Sequence, residues 1–155
     1  MIFDLTQLTL ESTNPNIIAF WTAHFEEWVS STIVDSCKAF ARAAGMSERY
    51  MSSIKFARLG PLRCEVYLDY FGPKGEPLGL WFEEGTKPHP IVAKYAPFLY
   101  FFWPKLKKYV SFKRVNHPGT KGLHIMRNGA KFGMPRLNQK IITETDKYLR
   151  ERSFV

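Results

Sequence analysis

Cysteine is scarce in this chain, and acid is scarce toward its C-terminal end. The two cysteines, Cys37 and Cys64, are too few for the disulfide framework that staples small secreted domains. Both are expected to stay reduced as small core residues, which suits folding in a cytosol. No apolar run reaches the ~20 residues that a membrane-crossing helix needs, so no membrane partner is expected. The start, Met1-Ile2-Phe3-Asp4, has no basic segment of the kind that opens a secretory signal. The metal-ligand spacings CxxC, HExxH and HxH are absent, and so are the GxxxxGK and GxGxxG loops that cradle phosphate. No metal, cofactor or catalytic site is therefore expected.

What remains is an aromatic-rich globular composition, 45% hydrophobic and 15% aromatic over 155 residues. A chain of that length makes one domain and buries about two-thirds of its unfolded surface. Its formal charge of +8 is unevenly placed. Residues 1–100 carry nine Lys/Arg against eleven Asp/Glu, and residues 101–155 carry thirteen against three. The asymmetry points to an anionic partner for the C-terminal third, either nucleic acid or an acidic protein surface. Lys105, Lys107, Lys108, Lys113, Arg114, Lys140, Lys147 and Arg150 are the candidate contacts. A solvated basic face that only aids solubility is the plainer alternative.

Along the chain, residues 1–12 read as an extended arm, with Ile2, Leu5, Leu8 and Leu10 as docking side chains. Thr13 or Asn14 caps a helix that Pro15 enters in its first turn. Ile18, Trp21, Phe25, Trp28, Val29, Ile33, Cys37 and Phe40 then recur at steps of three and four, one stripe of a helix over 13–45 that stops at Gly45. At 1.5 Å per residue that helix is about 45 Å long, so either it bends or part of the stripe packs on another subunit. The sheet is expected within 54–115, with strands at Ile54 to Leu59, Cys64 to Asp69, Leu78 to Phe82, Phe98 to Trp103 and Tyr109 to Val115. The fourth is apolar on both faces and should be central or covered. Residues 121–135 read as irregular and basic, and a final helix spans 136–152. The class is α+β: a long N-terminal helix, a mostly antiparallel sheet of four to five strands, and a C-terminal helix.

The stretch from Gly79 to Thr120 stands out. Gly85-Thr86-Lys87-Pro88-His89-Pro90 and His117-Pro118-Gly119-Thr120 are loops of similar chemistry at the ends of strand-like pieces. Each Pro fixes its own φ and pushes its predecessor out of the helical region, so His89 and His117 should both be extended. A metal site would need these histidines to converge with His124 and with Glu83 or Glu84; loop histidines bonded to backbone are the commoner case. Glu83 and Glu84 fall in a strand-like piece and would point to opposite faces, against an acid/base pair. Phe101, Phe102, Trp103, Tyr109 and Phe112 lie among lysines, a pattern that stacks bases when exposed, although strand aromatics are more often core.

Glu84, Gly85, Thr86, His89, Pro90, Ile91, Leu99, Val115, His117, Pro118, Gly119 and Thr120 together carry a resemblance. They resemble the tail-completion or neck proteins of long-tailed bacteriophages, of the type of the minor tail protein Z of phage lambda. The likeness is close in this stretch and loose elsewhere. After the second motif, Lys121-Gly122-Leu123-His124-Ile125-Met126 departs from the family pattern. The resemblance implies a virion structural protein at the head–tail junction and not an enzyme. It would form a homo-oligomeric ring, a hexamer or dodecamer, around the channel through which DNA passes, and would meet neighbouring connector and tail proteins. The residues Glu84, Gly85, Thr86, His89, Pro90, His117, Pro118, Gly119 and Thr120 would then lie at subunit interfaces. DNA has to slide through such a channel, so the basic third is expected to face outward or toward an acidic neighbouring ring. A basic nucleic-acid-binding domain is the alternative function.

Overall fold

A computed structural model describes residues 1–4 and 14–153. The expected docking residues Leu5, Leu8 and Leu10 and the expected cap Thr13 lie outside the described residues. The class is α+β. Its contacts divide it into two compact units: Met1–Gly79 with His124–Val155, and Leu80–Leu123.

The first unit holds the buried core. Helix α1 (Pro15–Val29) starts as the sequence indicates: Pro15 occupies the first turn and the Asn14 side chain accepts from the Asn16 N–H at 3.0 Å. It runs into a π-helical turn, Ser30–Val34, and then α2, Asp35–Ala43. At that turn Ser31 and Thr32 donate their hydroxyls to the Trp28 carbonyl, at 3.3 and 2.6 Å. Side-chain hydroxyls that compete for main-chain carbonyls loosen the α ladder, and a π turn is one way to absorb the slack. The helix ends at Gly45, whose φ is 73°. Its N–H donates to the Arg42 carbonyl and that of Met46 to the Ala41 carbonyl, both at 3.0 Å, the paired bonds of a glycine-terminated helix.

The apolar stripe does what its spacing predicts. Trp21, Phe25, Trp28, Val29, Ile33 and Cys37 are buried, and Phe40 packs against the same core. A short helix α3 (Glu48–Ser52) follows. Strands β1 (Ile2–Asp4), β2 (Ile54–Gly60) and β3 (Arg63–Leu68) form an antiparallel sheet in the order β1-β3-β2. Cys64 and Val66 on β3 face the core, alternating with more exposed neighbours.

The last helix, α5, spans Ile125–Ser153 and corrects the expectation of irregular chain over 121–135. Gly129, Gly133 and Pro135 suggested loop. Tertiary packing explains the glycines instead. A Cβ on Gly129 would stand 2.5 Å from the Cys37 Cα, and one on Gly133 would stand 2.9 Å from the Thr32 carbonyl oxygen. The two glycines are four residues apart, so they share one face, and they let α5 lie directly against the π turn and α2. The exposed Pro135 interrupts one bond of the ladder without ending the helix. Leu137 and Ile141 continue the buried face, the Trp21 indole N–H donates to the Thr145 hydroxyl at 2.8 Å, and Tyr148 stacks on Phe20 at 4.2 Å.

The stretch Leu78 to Phe82, expected as a strand, lies in a seven-residue helix, α4 (Leu78–Glu84). A short apolar run carries no period that separates the two states. The second unit, Leu80–Leu123, consists of most of α4 and three two-stranded antiparallel ribbons: β4 (Gly85–Thr86) with β9 (Thr120–Lys121), β5 (His89–Val92) with β8 (Arg114–His117), and β6 (Leu99–Trp103) with β7 (Lys108–Phe112). The strands therefore outnumber the four or five expected, and they make several small sheets in place of one.

Candidate interaction arm

The three ribbons are successive parts of one hairpin. Gly85 pairs with Lys121, Thr86 with Thr120, His89 with His117, Pro90 with Asn116, Ile91 with Val115 and Val92 with Arg114. One register runs through all six pairs. Carried across the gap, it sets Lys87 opposite Gly119 and Pro88 opposite Pro118. Neither proline has an N–H to give to the ladder, which is why the strand pairing lapses there. Read inward from each end, Gly-Thr-Lys-Pro-His faces Lys-Thr-Gly-Pro-His, so Thr, Pro and His each meet their own kind. The two corners picked out in the sequence are thus one paired structure.

Small residues and side-chain hydroxyls hold that structure. Gly85 and Gly119 have φ of 79° and 84°, a region that side chains disfavour. A Cβ on Gly119 would sit 2.2 Å from the Thr86 carbonyl oxygen, and one on Gly85 would sit 2.3 Å from that of Thr120. Only glycine lets the strands approach this closely. The Thr120 N–H donates to the Thr86 hydroxyl at 3.1 Å, and the two threonine hydroxyls are also 3.1 Å apart.

The histidine rings lie 5.1 Å apart across the strands, and both are tied to backbone. His89 Nδ1 is 2.8 Å from the Lys87 carbonyl oxygen, so it carries the proton and donates. His117 Nδ1 accepts from the Gly119 N–H at 3.1 Å, which leaves the proton of a neutral ring on Nε2. Those tautomers give the pair one free acceptor nitrogen between them, a poor start for a metal site. Among the described residues no group of three His, Cys, Asp or Glu side chains is placed to hold an ion. Glu83 and Glu84, expected on opposite faces of a strand, close α4 instead.

Beyond Val92 the chain loops through residues 93–98 and pairs again in a shifted register, from Leu99 with Phe112 to Trp103 with Lys108. The tip is residues 104–107, where Lys107 takes a φ of 50°. Both faces of this distal hairpin are aromatic. Phe101, Trp103 and Phe112 cluster on one face, with ring centroids 5.9–6.4 Å apart. On the other, Tyr100 stacks on Tyr109 at 5.2 Å with planes 10° apart, and Phe102 meets Tyr109 edge-on at 5.4 Å.

None of this is core. No residue from Leu80 to Leu123 is buried, and Tyr95, Tyr100 and Tyr109 are 95%, 72% and 62% exposed. The strand over Leu99–Trp103, expected to be central or covered because it is apolar on both faces, has a single partner strand among the described residues and is half-buried to exposed along its length. The aromatics expected as core are surface.

The charge follows the arm. Of the 22 Lys/Arg in the chain, eight lie between Gly85 and Lys121: Lys87, Lys94, Lys105, Lys107, Lys108, Lys113, Arg114 and Lys121. That segment has no Asp or Glu, so the rest of the chain is left with fourteen of each sign. All eight cations are exposed. Five were named from the sequence. Lys87 and Lys94 escape a charge count divided at residue 100, and Lys121 lies beyond the aromatic and basic stretch that ends at Arg114. The longest acid-free window, Gly85 to Thr143, contains them together with four cations of α5. Lys140, Lys147 and Arg150 belong to α5 in the other unit, where Lys140 lies 3.6 Å from Glu27 and 3.0 Å from the Ser31 hydroxyl.

No protein-family model, curated protein or solved structure matches this chain. No described helix is long and apolar enough to cross a membrane.

Proposed function

We propose that the chain is a structural subunit of a phage head–tail connector, a neck or tail-completion protein of the virion that assembles as a ring around the DNA channel. The observation that carries the reading is the arm: a hairpin stiffened by paired prolines and close-approach glycines, with apolar side chains on both faces and no buried residue along it. A two-stranded ribbon is marginal alone in water, and large exposed apolar patches mark sites of association. A neighbouring copy in a ring supplies that cover repeatedly, with one patch meeting a different patch around a closed circle. The corner Glu84, Gly85, Thr86, His89, Pro90, His117, Pro118, Gly119 and Thr120 is the docking edge in this reading. Its stiffness lowers the entropy lost on assembly. The work is mechanical and needs neither cofactor nor catalysis.

The test has two parts. Light scattering and negative-stain imaging of the protein, alone and with its neighbouring tail proteins, should show a closed ring of cyclic symmetry. Mass spectrometry of purified particles should find the chain. A chain that stays monomeric with those neighbours and is absent from particles removes the reading.

A further inference from the structure

We infer that the distal hairpin, Leu99–Phe112 with its tip, is a nucleic-acid-binding surface in which lysines meet phosphates and exposed rings stack on bases. The inference concerns the outer half of the arm and a partner other than a protein copy; it competes with the ring reading for the distal faces but not for the corner.

Charge is the first argument. Lys105, Lys107 and Lys108 crowd the tip, and Lys113 and Arg114 follow on the return strand. No carboxylate lies within the whole arm to neutralise them. The remainder of the chain is balanced in sign, so a second copy offers no net negative surface to satisfy eight cations. Their natural counterpart is a polyanion.

The second argument is the kind of apolar group. The distal hairpin carries Tyr100, Phe101, Phe102, Trp103, Tyr109 and Phe112. Tyr100 and Tyr109 form a near-parallel stacked pair, the two most exposed rings of the hairpin strands. An acidic protein surface would satisfy the lysines, but nothing in it calls for flat rings interleaved with cations. Bases do, whatever their identity, and aromatic platforms between cations are how single strands are held without sequence preference. A duplex is the other form of the same ligand, since a major groove about 12 Å wide admits a two-stranded ribbon.

Fluorescence anisotropy of the full chain with a labelled thymidine oligonucleotide and a labelled duplex, across a salt series, tests the inference. Binding should weaken linearly in log–log form with salt. K105Q/K107Q/K108Q should make that slope shallower by about three. Y100A/Y109A should cost the single strand about tenfold while leaving its salt slope unchanged. If the tyrosine variant loses nothing on the single strand, base stacking is overturned, and loss of duplex affinity in the lysine variant then leaves only the phosphate contacts. A K131Q/K147Q/R150Q variant of α5, equal in charge loss, should lose less than K105Q/K107Q/K108Q. Equal losses would overturn the inference, because net charge alone would then explain binding. Absence of binding at low salt, or displacement by polyglutamate as effective as by oligonucleotide of equal charge, would also overturn it. The second result would assign the arm to an acidic protein.

Discussion

At the scale of single residues, glycine decides most. Gly129 and Gly133 are where α5 touches the first helix, and there is no room for a methyl group at either. Gly129→Ala should destabilise the protein by about 1–3 kcal/mol, the usual cost of overpacking a dense contact. Urea unfolding followed by tryptophan fluorescence measures it, and an unchanged midpoint would mean that the helices can part freely. Cys64 offers a chemical test. It is fully buried, and loss of hydration pushes its thiol up to about 12. Native protein at pH 8 should therefore be alkylated at Cys64 far more slowly than urea-unfolded protein. Because the folded value is raised, the stability it contributes is fully present below pH ~9, the unfolded value, and is lost as pH rises toward 12. Cys64→Ala should remove that part of the alkaline slope.

At the scale of elements, the hairpin arm behaves differently from the helical core. Gly119→Ala places a Cβ against the Thr86 carbonyl oxygen at a backbone angle that side chains disfavour. It should open the corner without unfolding the protein, since no arm residue belongs to the buried core. Hydrogen exchange should show protection lost at Thr120 and at the neighbouring pairs of β5 with β8. The global unfolding midpoint should move less than in Gly129→Ala. Equal shifts in both variants would mean that arm and core unfold as one cooperative unit. The long first helix, by contrast, was legible from its stripe of three- and four-residue steps. The π turn within it was not, because hydroxyls at positions 30–32 are compatible with either ladder. The short helix α4 was misjudged for want of length: seven residues show no period.

At the scale of the whole molecule, the buried hydrophobic side chains among the described residues lie in one unit, while the other carries eight Lys/Arg against two Asp/Glu. Replacing residues 94–113 by a short turn should leave the helical far-UV circular dichroism and the unfolding midpoint close to those of the parent. The same change should abolish ring formation and oligonucleotide binding. A shortened chain that still assembles would confine docking to the corner, which the change retains, and exclude the distal faces.

Local chemistry by itself determined the helix caps, the apolar stripe, the extended backbone at His89 and His117, and the similarity of the two proline corners. These follow from dihedral limits and periodicity, which act over a few residues. Only the tertiary structure decided that the corners face each other in one register, that two helix glycines mark a packing contact, and that an aromatic strand lies uncovered. Those outcomes depend on which distant segments meet, and exposure is a property of what fails to arrive as much as of the residue itself. The acid-free window from Gly85 to Thr143 was present in the sequence throughout. The fold divides it, giving Gly85 to Lys121 to the hairpin and its last part to α5.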